Sequence, residues 1–185
     1  MPALETSLLP CITKGTNCPY FVETGTFRGE TILAMEPHFD KLFTIEIKQE
    51  FYDNVRQKYG GNKIHFILGD SADEMNLLVK SLDKKTVFFL DGHWFWSEKG
   101  IGRGKKDNPL LEELESIYRG YKLEGVIVVD DARLFGKGPN EKHQWQDITE
   151  SSILEKLGNR VSEFYYLPSD ITERDRMIIH LKAIV

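Results

Sequence analysis

The sequence predicts an α/β fold: one domain built on a doubly wound, mostly parallel seven-stranded sheet that ends in an antiparallel hairpin. Three observations carry this. Apolar runs of strand length alternate with helix-period segments five times along the chain. The last two apolar runs, Glu163 to Leu167 and Met177 to Ile184, come almost back to back, as a hairpin does. No repeat, linker or composition shift divides the 185 residues, a length that builds one core.

Residues 1–19 are broken by Pro2, Pro10, Gly15 and Pro19, with a short helix expected over Glu5 to Leu9. This leader is read as a lid, an interface arm or a loosely packed segment, and 20–185 as the domain proper. A first strand from Tyr20 to Val22 stops at Glu23. Two glycines four apart follow, Gly25 and Gly29, and then a helical run from Thr31 to Met35. Leu42 to Ile47 is a second strand with Glu46 near its end. Gln49 to Tyr59 reads as a helix because Phe51, Val55 and Tyr59 recur at i, i+4 and i+8, and Gly60-Gly61-Asn62 ends it. After a third strand, Ile64 to Leu68, Ser71 and Glu74 form a capping box for a helix through Leu82. Thr86 to Leu90 is the fourth strand and the most apolar, as a buried parallel strand should be. A Gly- and Lys-rich loop from Gly92 to Asn108 leads to Pro109, which suits the first turn of a helix through Tyr118. Val126 to Val129 is the fifth strand. The loop from Ala132 to Gln146 precedes a helix near Ile148 to Leu157, capped by Asp147.

Composition narrows the function classes. The net charge of −5 argues against nucleic acid as the main partner, since phosphate contacts need a basic surface. No apolar run approaches the length that crosses a membrane, and no stretch reads as a secretion signal. Cys11 and Cys18 lack metal-finger spacing and read as free thiols in a reducing, cytoplasmic setting.

In an open α/β sheet, ligands bind outside the carboxyl ends of the strands. Here the strands end on Glu23, on Glu46, on Asp70-Ser71, on Asp91-Gly92-His93 and on Asp130-Asp131, so acids gather on one edge. Gly25 lets the backbone turn or approach a ligand. The dinucleotide fingerprint G-x-G-x-x-G is absent because Thr26 and Phe27 fill its gap, and bulky Phe27 favours a ligand without phosphate there. Glu46 lies about twenty residues beyond the turn, where a carboxylate accepts both ribose hydroxyls of a nucleoside. Asp70 and Ser71 are placed to meet the adenine. Asp91, Asp130 and Asp131 would converge and raise one another's pKa values, which a hard divalent cation such as Mg²⁺ relieves. His93 is the candidate base, with Asp91 as the alternative. Trp94 and Trp96 offer flat rings to a sugar or aromatic acceptor, with Phe95 anchoring the loop. Gly100, Gly102 and Gly104 suit a lid, and Arg133, His143 and Trp145 in the second loop complete the acceptor side.

An acid followed by G-x-x-x-G resembles motif I of the class I S-adenosylmethionine-dependent methyltransferases, a Rossmann-like family. The resemblance implies that Glu23, Gly25, Thr26, Phe27 and Gly29 cradle the cofactor, with Glu46, Asp70, Ser71 and Asp91 completing its site. Asp91 with Asp130-Asp131 is similar to the metal ligands of the divalent-metal-dependent O-methyltransferases, catechol and sugar types alike. Over residues 20–185 the chain looks like the compact glycan-modifying members, of the kind large algal viruses encode, which would act in the host cytoplasm. The implied reaction is Mg²⁺-dependent methylation of a sugar hydroxyl. A catechol-like acceptor and a non-catalytic cofactor-binding module are the alternatives. No substantial cap domain precedes the first strand, so closure falls to the loops and leader or to a second copy in a homodimer.

Overall fold

The computed structural model describes residues 4–94, 102–140 and 144–184. Seven strands form one sheet: β1 (Tyr20–Thr24), β2 (Lys41–Glu46), β3 (Ile64–Leu68), β4 (Thr86–Leu90), β5 (Gly125–Val129), β6 (Val161–Leu167) and β7 (Arg176–Leu181). Their order is β3-β2-β1-β4-β5-β7-β6. The first five are parallel, and β7 lies antiparallel between β5 and β6. The expected doubly wound sheet with a terminal hairpin is what forms. The chain reverses its winding between β1 and β4, which opens a crevice there.

Alternation along the strands separates two cores. Phe21, Leu42, Val87, Phe89, Val126 and Val128 face one side. There they meet Ile32 and Met35 of α2 (Glu30–Met35), Val55 of α3 (Gln49–Lys58), and Leu4 and Ile12 of the N-terminal segment. Val22, Ile45, Phe88, Leu90, Ile127 and Val129 face the other. They pack on α4 (Ser71–Leu78), α5 (Leu110–Gly120) and α6 (Glu150–Leu157). The leader is anchored in this core by Leu4 and Ile12, both fully buried, with Ile12 in a short helix, α1 (Leu9–Thr13). No helix among the described residues is long and apolar enough to cross a membrane.

Several local expectations need correction. Asp70, not Ser71, caps α4, its side chain accepting from Ala72 N at 3.1 Å. Thr149 caps α6 in a reciprocal pair with Ser152, displacing Asp147 from that role. The helix α3 stops at Lys58 with Tyr59 extended, before the glycines. The last strand ends at Leu181 rather than Ile184.

Candidate functional site

The carboxyl edge of the sheet is built around one close approach. Gly25 has φ 81°, and a Cβ there would stand 2.5 Å from the Asp91 carbonyl oxygen, so only glycine lets the β1 turn pass the β4 exit. Phe27 also takes a left-handed backbone, φ 48°. Its N–H donates to Glu46 Oε2 at 2.8 Å, while Glu46 Oε1 accepts from Lys48 N at 2.8 Å. Burial pushes the Glu46 carboxyl above its ordinary range, and the backbone amides of Lys48, Phe27 and Ile47 oppose the shift.

A pocket opens beside this turn. Glu46, Ile47 and Phe51 line one wall, Gly69, Asp70 and Ser71 a second, and Asp91, Gly92, His93 and Trp94 a third. The segment from Gly102 to Lys106 folds across it. Lys105 N donates to Asp70 Oδ2 at 2.9 Å, and Trp94 N to the Asp107 carbonyl at 2.7 Å. A Cβ at Gly102 would stand 2.3 Å from Ile47, and one at Gly104 2.6 Å from Asp70, so these glycines serve close approach. Arg103 lies over the Trp94 ring, 4.9 Å from its centroid.

Three residues expected at the cofactor stand behind the wall instead of lining it. Glu23 is in register with Thr44 on β2 and accepts its hydroxyl at 2.7 Å, and burial pushes its carboxyl up to about 8. Thr26 joins the same chain, its Oγ1 2.5 Å from that of Thr44. Gly29 stands at the N-cap of α2, where a Cβ would collide with Val55 at 2.6 Å. Ser71 reaches the pocket but spends its hydroxyl on Glu113 Oε1, at 2.5 Å. Glu113 was not expected at the site. It is fully buried below the pocket, and burial raises its carboxyl to about 7 against hydrogen bonds from Ser71 and Thr24. Its signal is a charge at the i+3 position between Leu110 and Ile117, on the apolar stripe of a helix.

The acids at the β4 and β5 exits do converge, but not as the expected trio. Asp91, His93 and Asp131 offer ligand atoms within 4.8 Å of one another, as do Asp130, Asp131 and Asp175 among the described residues. Asp91, Asp130 and Asp131 are not such a group. Register decides what stands beside Asp130. Val129 of β5 pairs with Met177 of β7, which brings Arg176 beside Asp130, and Arg176 Nε sits 3.4 Å from Asp130 Oδ1. Arg176 also donates to Glu5 Oε2 at 2.6 Å, tying the N-terminal segment to this rim.

Asp131, with φ 59°, turns the chain so that its Oδ2 lies 3.0 Å from His93 Nε2 and its Oδ1 accepts from Arg133. Burial alone would raise the Asp131 carboxyl. The His93 contact and then Arg133 outweigh it and hold the group below its usual range. Asp130 goes the other way, to about 7, through burial and the neighbouring Asp131, with Arg176 opposing. Asp91 lies well above the carboxylate range for burial first, then Asp130 and Asp131.

Of the residues placed on the acceptor side, Trp94 lines the pocket. Arg133 does not line that pocket and is held between Asp131 and Asp175, 2.8 Å from Asp175 Oδ1. Trp145 is buried with its ring edge-on to His93 at 4.9 Å. Phe95, Trp96, Gly100 and His143 lie outside the described residues.

No family model and no curated protein sequence matches the chain. Solved structures do. The N-methyltransferase NodS of Bradyrhizobium japonicum WM9, in complex with S-adenosyl-L-homocysteine, is similar at a TM-score of 0.59 and 12% identity, over 96% of this chain and 84% of that one. CalS10, an amino pentose methyltransferase of Micromonospora echinaspora with S-adenosylmethionine bound, gives 0.61 and 10%, over 95% and 89%. An rRNA methylase of Streptococcus thermophilus gives 0.53 and 15%, over 90% and 87%. The fold is therefore that of the class I S-adenosylmethionine-dependent methyltransferases. These relatives in shape act on different acceptors, so the fold leaves the acceptor open.

Proposed function

We propose that the chain is an S-adenosylmethionine-dependent O-methyltransferase that methylates a sugar hydroxyl with the help of a divalent cation. The observation that carries this reading is a shared wall: Asp91 and His93 line the pocket and also belong to the acid cluster. A nucleoside-binding space and a group of buried carboxylates thus meet at one point.

Glu46 is the ribose acceptor. Two backbone amides fix its carboxylate, which keeps lone pairs for two hydroxyl donors. Asp70 and Ser71 border the adenine end, with the Gly102–Lys106 segment above them, and Gly25 and Phe27 border the methionine end. The cluster fits a cation. Four buried or nearly buried carboxylates, Asp91, Asp130, Asp131 and Asp175, face two guanidinium groups, Arg133 and Arg176. Both Asp130 oxygens and one each of Asp91 and Asp131 are buried without a hydrogen bond. Burial first and then the neighbouring carboxylates raise Asp91 and Asp130, and a divalent ion relieves the repulsion among the carboxylates.

When bound, the cofactor supplies an electrophilic methyl group, and the cation supplies positive charge that favours the ionised acceptor oxygen. The chain's own part is to hold the acceptor and take its proton. Asp91 or His93 receives the hydroxyl proton, because only they border both the pocket and the cluster among the acids and imidazole of that cluster. The sugar acceptor is supported by Trp94 at the pocket edge and by the likeness to an amino pentose methyltransferase.

The test is transfer of a labelled methyl group to a panel of glycosides and catechols, with and without chelator, beside calorimetry with S-adenosylhomocysteine. Labelled glycoside, lost on chelation while cofactor binding persists, is the expected result. Failure to bind S-adenosylhomocysteine would sink the reading. Labelled catechol alone would replace the acceptor.

A further inference from the structure

We infer that the cation is held by Asp91, His93 and Asp131, and that this imidazole-containing set selects a first-row transition ion over Mg²⁺. The inference rests on the cation proposed above and changes both its ligands and its identity.

The three side chains are almost wholly enclosed, at 11%, 4% and 1% exposure. Each presents a buried atom without a hydrogen bond: Asp91 Oδ1, His93 Nε2 and Asp131 Oδ2. A buried polar atom with no partner at all costs about 1–3 kcal/mol; here His93 Nε2 is ion-paired with Asp131 Oδ2 at 3.0 Å and His93 Nδ1 lies 3.5 Å from Asp91 Oδ1, which offsets part of that cost. A common partner among them removes the rest. His93 Nε2 and Asp131 Oδ2 are 3.0 Å apart, an ion-pair distance when the imidazole is protonated. That separation matches the edge, about 3.0 Å long, between adjacent ligands of a six-coordinate ion with bonds of ~2.1 Å.

The surroundings hold the ligands in place. Arg133 takes Asp131 Oδ1 and is itself anchored on Asp175, so Asp131 Oδ2 is left facing His93. Trp145 packs edge-on against the imidazole. Partners behind the ligands are what fix ligand orientation in metal sites. Asp130 is the less suited ligand because the Arg176 guanidinium stands 3.4 Å from its Oδ1 and already supplies positive charge there.

A purely carboxylate and water set suits Mg²⁺ or Mn²⁺, whereas an imidazole nitrogen favours Co²⁺, Ni²⁺ or Zn²⁺, with Mn²⁺ serving as a spectroscopic stand-in. With Nε2 committed to the ion, His93 no longer takes the acceptor's proton, and that role passes to Asp91 through its second oxygen.

The experiment uses the full chain loaded with Mn²⁺ or Co²⁺. Pulsed electron paramagnetic resonance of the Mn²⁺ form should show coupling to an imidazole ¹⁴N, and His93→Gln should abolish it. By calorimetry, His93→Gln should weaken Co²⁺ binding at least about tenfold, while Asp130→Asn changes it less than about threefold. Absence of ¹⁴N coupling in the unaltered chain, or Co²⁺ affinity insensitive to His93→Gln, overturns the inference. So does loss of Co²⁺ binding on Asp130→Asn. S-adenosylhomocysteine binding, measured on every variant, reports folding. It also separates the two claims: a chain that binds it but shows no such ion site refutes this inference and leaves the cofactor reading standing.

Discussion

Glu46 offers the sharpest test because the structure gives its carboxylate two separable jobs. One is internal: each oxygen accepts a backbone N–H at 2.8 Å, and one of these belongs to Phe27, whose φ of 48° needs holding. The other is the proposed grip on the ribose. In Glu46→Gln the side-chain amide can accept only one of the two N–H groups and points its own NH₂ at the other. Losing one charge-assisted hydrogen bond costs about 1.5–3 kcal/mol. Stability should fall by about that amount, read from urea unfolding. Replacing a carboxylate by an amide at two ribose hydroxyls should weaken S-adenosylhomocysteine by about 1–3 kcal/mol, roughly 5- to 150-fold in Kd. Glu46→Ala should do at least as much to both. Calorimetry well below the melting temperature separates the two effects. A folded Glu46→Gln variant that binds S-adenosylhomocysteine within about twofold of the parent would refute the ribose assignment and leave Glu46 as a turn support only.

Further expectations concern the buried charges and the turn. Burial holds Glu23 near 8, Glu113 near 7 and Asp130 near 7, all above their ordinary values. The folded chain therefore binds more protons than the unfolded one between about pH 4 and 8, and its stability should fall as pH rises through that window. Each such group contributes up to roughly 1.4 kcal/mol per pH unit. Thermal melts from pH 5 to 8 in the presence of chelator check this, and Glu23→Gln, which keeps an acceptor for Thr44, should flatten the slope; a melting temperature that rises with pH would contradict it. Arg176→Met should destabilise the chain by about 2–4 kcal/mol, since it leaves the buried Asp130 without its neighbouring cation, whereas Glu5 is 41% exposed and regains water. Denaturant unfolding showing a loss under about 1 kcal/mol would mean the guanidinium is not doing that work. Gly25→Ala puts a Cβ 2.5 Å from the Asp91 carbonyl and forces a left-handed residue to carry it. S-adenosylhomocysteine binding should be lost, and retention of parental affinity in calorimetry would show that the turn relaxes freely.

The strands and most helices were legible because their signal is local. Val87 to Leu90 is apolar at every position and Thr86 to Leu90 is buried at every position, and the Phe51–Val55 spacing put a helix where α3 lies. The edge that carries the site was legible too, since five strand exits ended on acids and the parallel order brings those exits together. Helix caps were less so: Ser71 and Asp147 have the right chemistry, but their neighbours Asp70 and Thr149 stand at the turn where the backbone N–H groups point. Glu113 escaped notice although its place on an apolar helix face marked it.

By itself, the sequence determined the alternation of strand and helix, the sheet's winding, and the rim on which acids would collect. Hydrophobic periodicity and glycine positions act within a few residues, so they can be read without knowing what lies opposite. Only the tertiary structure decided which charges face which. Arg176 meets Asp130 because an antiparallel strand enters beside β5 in one register, and a slip of one residue would have turned that side chain to the other face. Glu5, Arg133 and Asp175 join the rim across as many as 171 residues of chain. The choice between His93 and Asp130 as the neighbour of Asp91 and Asp131 is a fact of distance, and distance across a sheet is not written in spacing along a chain.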